Sequence, residues 1–268
     1  MKKTGFLGVP FMAWYDIMYD IKCKRNLSFA REALKSKSPA AAPAWGAEVV
    51  SSNIVGYHKL SVDPDNNQIV GVQFTTIGAN TLDIQDLVLE GVADGDRIQF
   101  FNGVTYDAYL YAEETYDETG EEDLGPGWTD EVTGLRAERA LIPGQAFWLR
   151  ASGESATMTF GGEVKPDGSY SANCGGVFAL VAVPTPVKKD LQSVTFENIA
   201  DGDRIQFFNG TTYDAFTYAE ETYDETGEED LGPGWTDEAS GLRAEKEVQL
   251  NDGFWLMSES DTVSISVE

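Results

Sequence analysis

The sequence predicts an all-β protein with two tandem, homologous β-sandwich or barrel-like domains behind a short, partly helical leader. Three observations support this prediction. The second half of the chain repeats the part before it, apolar and polar residues alternate with a period of two, and turn-forming residue pairs recur at short intervals.

The repeat is visible as the string ADGDRIQFFNG, which occurs at 93–103 and again at 200–210. The offset of 107 holds without a gap, and 41 of the 46 positions in 93–138 are identical in the second copy. The next 22 positions share only Phe147, Trp148 and Leu149 with their counterparts. We therefore expect a leader at 1–46, a first β domain at 47–164 and a second at 165–268.

The expected strands follow from alternation, as where Ile98 and Phe100 alternate with polar neighbours and where Val263 and Ile265 do the same. Asn102-Gly103, repeated as Asn209-Gly210, predicts a two-residue type I′ hairpin, because both central positions of that turn need a positive φ. The chain should thus consist of short strands joined by tight turns.

The first 46 residues differ in composition from the rest. Lys2 and Lys3 precede an uncharged stretch from Thr4 to Tyr15, which resembles the start of a secretory signal but is too short to span a bilayer. No conventional cleavage site follows closely, so whether the leader is removed stays open. Apolar residues on one helical face predict its partly helical character, namely Phe11, Trp14, Tyr15, Met18 and Ile21.

Charge and composition restrict the function. A formal charge of -26, from 45 acidic and 19 basic residues, argues against nucleic-acid or anionic-membrane partners. A single histidine excludes histidine-pair chemistry, and two cysteines, Cys23 and Cys174, make no disulfide framework. We therefore expect a protein that is not an enzyme.

The acidic segment AEETYDETGEEDLGPGWTDE, at 112–131 and 219–238, is the main candidate for chemistry. Carboxylates among glycine turns suit a hard cation, so Ca²⁺ is the one cofactor considered, although the spacing is not that of an EF-hand. The alternative is a solvated loop that keeps the protein soluble. The candidate ligands are Asp117, Glu118, Glu121, Glu122, Asp123 and Asp130, with Asp224, Glu225, Glu228, Glu229, Asp230 and Asp237 in the second copy.

Aromatic residues suggest a glycan as a second candidate ligand. Trp128 and Trp235 are the candidate platform, and Tyr106, Tyr109, Tyr111 and Trp148 could extend it. The alternative is that these aromatics fill the core and pair across strands. Paired carboxylates would also permit a glycosidase, but an exposed acidic loop offers no means of separating their pKa values.

The order GDRIQFFNG, TYDAY or TYDAF, PGWTDE, and GQAFWL or DGFWL resembles a group of uncharacterised secreted tandem β-repeat proteins of bacteria. AEVVSSNIVGY at 47–57 resembles the Ala-Glu-Val end of the leader in that group and the SNIVGY that follows it. The resemblance implies export, a β architecture and a surface or matrix role. It supplies no reaction and no cofactor.

These observations predict a non-enzymatic extracellular or cell-surface structural protein. Self-association into a fibre or surface layer would follow if equivalent surfaces met head to tail, and Ca²⁺ or low pH would favour it by relieving charge. The alternative function is a carbohydrate- or surface-binding (adhesion) module.

Overall fold

Antiparallel strands account for the first repeat in the computed structural model. The structure describes residues 54–64, 67–117, 119–152, 155–165, 168–175, 178–186, 188–224, 226 and 228–267. The strands are β1 (Ile54–Val62), β2 (Asn67–Gly71), β3 (Leu82–Asp83), β4 (Val88–Glu90), β5 (Arg97–Phe101), β6 (Tyr106–Tyr116), β7 (Asp123–Asp130), β8 (Ala140–Leu141), β9 (Ala146–Arg150) and β10 (Ala156–Val164).

The second repeat forms the same ten strands in the same order. They are β11 (Ser169–Asn173), β12 (Phe178–Ala182), β13 (Lys189–Asp190), β14 (Thr195–Glu197), β15 (Arg204–Phe208), β16 (Tyr213–Tyr223), β17 (Asp230–Asp237), β18 (Glu247–Val248), β19 (Gly253–Met257) and β20 (Thr262–Ser266). A short 3₁₀ helix follows β3 and β13, at Ile84–Asp86 and Leu191–Ser193. The all-β prediction is confirmed.

Each repeat contains a five-stranded, a three-stranded and a two-stranded sheet. In the first repeat the orders are β2-β9-β5-β6-β7, β1-β10-β4 and β3-β8, and the second repeat has the equivalent orders. Inward residues of the two larger sheets meet in one core, as Phe100 and Phe147 of the five-stranded sheet do with Met158 and Phe160 of β10. A separate cluster of buried residues fills the second repeat.

The two repeats pack on each other through the outer faces of their five-stranded sheets. The Gly71 backbone N–H donates to the Asn251 carbonyl (2.8 Å), and the Ala182 N–H donates to the Gly144 carbonyl (2.8 Å). Gly71 ends β2 as Ala182 ends β12, and Gly144 and Asn251 occupy equivalent positions before β9 and β19. The same contact is therefore made twice, so the repeats are related by an approximate two-fold axis.

Side chains at this junction follow the same symmetry. Phe101 contacts Trp255 and Phe208 contacts Trp148, with ring centroids 5.1 Å apart in both pairs. An apolar cluster lies beneath them, formed by Ile69, Ala146, Leu180 and Ala182. Residues 51–268 form one compact unit that includes both repeats.

One polar network breaks the symmetry of the junction. Buried Gln73 accepts the Asn251 N–H (2.8 Å) and donates to the Val183 carbonyl (3.2 Å), while the Asn251 side chain donates to the Gly71 carbonyl (2.9 Å). Asn251 has a φ of +60°, where the first repeat has Gly144 at +98°. The Asn251 carboxamide supplies one bond that a glycine lacks, so the two halves of the junction are not identical.

The predicted two-residue hairpin at Asn102-Gly103 is wrong. Phe101 pairs with Tyr106, so four residues form the loop, and Gly103 has a positive φ whereas Asn102 does not. The Asn102 carboxamide oxygen accepts the N–H groups of Val104 and Thr105, and Asn209 forms the same loop in the second repeat. Side-chain bonding thus favours the longer turn.

No helix in the described part of the chain is both long and apolar enough to cross a membrane. The predicted leader at 1–46 and Cys23 lie outside the described residues. Cys174 is buried within the core of the second repeat.

Candidate functional site

The acidic segment of each repeat is a β-hairpin and not the expected loop. In the first repeat β6 runs to Tyr116 and β7 begins at Asp123, and β16 and β17 form the same hairpin in the second. The pairing shifts register between Ala112 and Thr115, and buried Thr115 donates to the Gly125 carbonyl (2.7 Å). Only the short connection between the two strands is a turn.

Three of the six predicted cation ligands in this hairpin bond to their own turns. Asp117 accepts the Thr119 hydroxyl (2.8 Å) and the N–H groups of Glu121 and Glu122. Asp123 accepts the Gly125 N–H, and Asp130 accepts the N–H groups of Val132 and Thr133. The equivalent bonds form in the second repeat at Asp224, Asp230 and Asp237.

The structure does not bring these carboxylates together. Glu118 and Glu225 lie outside the described residues, and Glu121, Glu122, Glu228 and Glu229 are exposed. Within the part of the chain that is described, no three acidic, histidine or cysteine side chains are placed to share a metal ion. Ca²⁺ binding stays a prediction. The hydrogen bond from Thr119, followed by those from the turn, lowers the pKa of Asp117 below its ordinary value.

Trp128 and Trp235 cannot serve as an exposed platform, so that prediction is wrong. Their side chains are 1% and 2% exposed and belong to the two cores. Trp128 packs edge-on against Tyr111 (5.7 Å between ring centroids), and Trp235 packs in the same way against Tyr218 and Phe196. Trp128 faces inward because it pairs with Tyr111 on the core side of β6.

A glutamine holds the tryptophan-bearing strand in each repeat. The Gln85 side chain accepts the Trp128 N–H (3.0 Å) and donates to the carbonyls of Trp128 (2.9 Å) and Ala137 (2.8 Å). Gln192 makes the equivalent three bonds to Trp235 and Ala244. These residues position β7 and β17 against the segments that follow them.

An open cleft of about 1210 Å³ lies beside this strand in the second repeat. It is bounded by β16, the end of β17 and the segment 238–246. The lining residues are Asp190, Gln192, Arg204, Tyr213, Asp214, Ala215, Phe216, Tyr223, Asp224, Leu231, Asp237, Glu238, Ala239, Ser240, Leu242, Arg243, Ala244, Glu245 and Lys246.

The three cationic side chains of the cleft already have partners. Arg204 forms an ion pair with Glu238, whose carboxylate also accepts the Thr217 hydroxyl (2.9 Å). Lys246 lies 4.0 Å from an Asp214 oxygen and 4.8 Å above the Phe207 ring. Arg243 donates to Thr222 and to the Leu231 carbonyl. A ligand therefore meets positioned donors and acceptors and not a surplus of free cations.

Tyrosine rings give the cleft an apolar component. Tyr213 and Tyr223 are 41% and 38% exposed, and Leu231 beside them is 40% exposed. The Tyr223 hydroxyl donates to Glu221 (3.1 Å), and this bond is the main reason why the pKa of Tyr223 is raised. The ring is thus oriented at the surface by a neighbouring carboxylate.

The first repeat carries nearly the same lining. Fifteen of the nineteen cleft residues are identical at the equivalent positions, and the exceptions are Tyr109 for Phe216, Val132 for Ala239, Thr133 for Ser240 and Arg139 for Lys246. Arg97 pairs with Glu131, and Arg139 bonds to Asp107 (3.0 Å) and lies 4.0 Å above Phe100. We call the cleft and this equivalent surface the twin clefts.

Tyr106 and Tyr213 occupy equivalent positions at the border between the twin clefts and the junction. Tyr106 contacts Phe101 (5.5 Å between ring centroids), and Tyr213 contacts Phe208 (5.3 Å). Burial raises the pKa of Tyr106, a hydrogen bond from Trp148 opposes this rise, and the nearby Tyr213 adds to it.

The other aromatic candidates lie in different environments and do not form one surface. Tyr106 is 39% exposed, but Tyr109 is buried, Tyr111 packs on Trp128 and Trp148 lies in the junction. Sequence reasoning missed the cationic cleft residues and Leu231. The usable signal was their position in the near-identical block, since Arg204, Leu231 and Arg243 all lie in it.

No protein-family model, curated protein or solved structure shows a significant match to this chain. The resemblance to secreted tandem β-repeat proteins therefore stays a prediction.

Proposed function

We propose that this protein is a non-enzymatic carbohydrate-binding module that uses the twin clefts. The observation that carries the proposal is the near-identity of the two cleft linings. The fold itself does not require it, because the five residues at 156–160 share none with the five at 263–267, although β10 and β20 occupy the same place in their sheets.

The chemistry of the clefts suits a polyhydroxylated ligand. Sugar hydroxyls both donate and accept hydrogen bonds, and sugar C–H faces pack on aromatic rings. The repeat-2 cleft offers the Tyr213 and Tyr223 rings, carboxylates such as Asp214 and guanidinium groups held by their neighbours. Because its cations are paired, the cleft does not depend on a charged ligand.

A glycan array with the full chain tests the proposal. Replacement of both border tyrosines, Tyr106→Ala with Tyr213→Ala, should abolish binding, because each cleft loses an exposed ring. Tyr57→Ala is the matched control, since Tyr57 is 77% exposed on β1 and lines neither cleft. The proposal fails if no glycan is retained, if the double variant binds normally, or if the control loses binding to the same degree.

A structural, self-assembling role at the cell surface is the second proposal. β1 is an edge strand of its sheet, and it exposes Val55 and Tyr57, which are 55% and 77% accessible. Exposed edges with apolar side chains favour strand addition between molecules. The two-fold junction cannot supply a contact between molecules, because its faces already pack on each other within one chain.

A further inference from the structure

The border tyrosines place the twin clefts next to each other. Tyr106 and Tyr213 are equivalent residues, and each packs on a phenylalanine whose ring contacts a tryptophan of the other repeat, so both lie beside the two-fold junction. A continuous series of ring contacts joins each of them to the junction, from Tyr106 to Phe101 and Trp255, and from Tyr213 to Phe208 and Trp148. The rise in the pKa of Tyr106 that Tyr213 contributes agrees with this proximity.

A two-fold axis imposes opposite directions on ligands bound at its two sides. A glycan chain has a direction, since its reducing and non-reducing ends differ. If a chain enters one cleft towards the axis, an equivalent chain must enter the other cleft towards the axis as well. A single chain that crossed from one cleft to the other would have the wrong direction in the second.

We infer that one molecule binds two glycan chains, one in each of the twin clefts, and thereby cross-links them. This inference rests on the proposed function. The near-identical linings make the two sites similar in affinity, and the junction fixes their separation, so a surface that carries many glycans would be held at two points.

The test uses the full chain with cellotetraose, chitotetraose and mannotetraose as probes, both free and attached in many copies to polyacrylamide. Calorimetry should give two free oligosaccharides per chain, and the conjugate should precipitate with the protein. Tyr106→Ala and Tyr213→Ala should each leave one site and abolish precipitation. Tyr57→Ala should keep both sites, and circular dichroism should show that all variants are folded.

The outcomes separate the two claims. One oligosaccharide per chain, or complete loss of binding in either single variant, would mean one composite site and would overturn the inference while the carbohydrate-binding proposal stands. If no probe binds and the array is also blank, both fail. Two sites without precipitation would also overturn the cross-linking claim.

Discussion

The Gln85 side chain links the 3₁₀ helix that precedes β4 to strand β7 by hydrogen bonds. Its carboxamide satisfies three backbone groups of Trp128 and Ala137. Gln85→Ala should lower the free energy of unfolding by about 2–3 kcal/mol, because buried polar groups lose their partners. Urea denaturation measures this loss, and Gln192→Ala should match it. Val132→Ala, at a site that is 93% exposed, should have almost no effect, and equal stability of all three variants would contradict the bonding scheme.

The turn at Asp117 should make stability depend on acidic pH. Hydrogen bonding lowers the pKa of Asp117 below 3.8 in the folded state, so the carboxylate favours folding above that value. The contribution is lost as the pH falls through the lowered pKa. An NMR titration should find the lowered pKa in the wild type. In Thr119→Val, which removes the largest cause, it should return towards 3.8, and an unchanged value would contradict the assignment.

Cys174 should be unreactive in the folded protein. Burial is the main reason why the pKa of its thiol is raised to about 11, and Asp203 adds to the rise, so little thiolate exists at neutral pH. Iodoacetamide at pH 8 should label the native protein very slowly and the urea-unfolded protein quickly. Rapid labelling of native protein would show that the side chain is accessible.

For individual residues, the sequence predicted the chemical type of a side chain better than whether that side chain faces the core or the solvent. The sequence indicates Trp128 as a platform because aromatic rings pack on sugars. Its side chain points to the core because it pairs with Tyr111 and packs against the Tyr111 ring. Alternation alone places Tyr106 and Tyr111 on opposite faces of β6, but no local pattern shows that Trp128 pairs with Tyr111, so the core position of Trp128 could not be predicted in advance.

Among the elements, alternation was enough to predict the central strands. Ile98 and Phe100 are buried as expected, and Val263 and Ile265 are buried in β20. Loop length was less predictable, because the four-residue loop after β5 is closed by the Asn102 side chain and not by backbone dihedrals alone. The cleft could not be predicted either, since it brings 190–192 together with 204–246.

Strand β19 should be sensitive to any added side chain at its start. A Cβ at Gly253 would overlap Ile69 and Ala146 across the junction. Gly253→Val should therefore destabilise the junction by about 1–3 kcal/mol, as overpacking does, and the two repeats should begin to unfold in separate steps. Calorimetry checks this expectation, and the control is Gly161→Val in β10, where the nearest atoms to an added Cβ are 3.9 Å away. A single unfolding transition in Gly253→Val would argue that the junction is not essential for the two repeats to unfold together.

At the scale of the whole molecule, charge should control association. The -26 charge repels copies from each other at neutral pH, whereas the repulsion vanishes near the isoelectric point of about 4.2. Light scattering and negative-stain microscopy should therefore find monomers at pH 7 with a chelator, and assemblies near pH 4.5 or with Ca²⁺ if the acidic hairpins bind it. Monomers under every condition would remove the support for a self-assembling role.

The route of assembly can be distinguished from general aggregation. The junction faces are occupied within each chain, whereas β1 is an edge strand that exposes Val55 and Tyr57, so β1 is the edge that we propose for ordered contact. Tyr57→Lys places a charge on that edge, which blocks strand addition, and it should prevent ordered assembly while leaving the amorphous precipitate near the isoelectric point unchanged. Val104→Lys makes the same charge change at another exposed site and should assemble normally. If both variants lose assembly equally, net charge is the cause and β1 is not the contact.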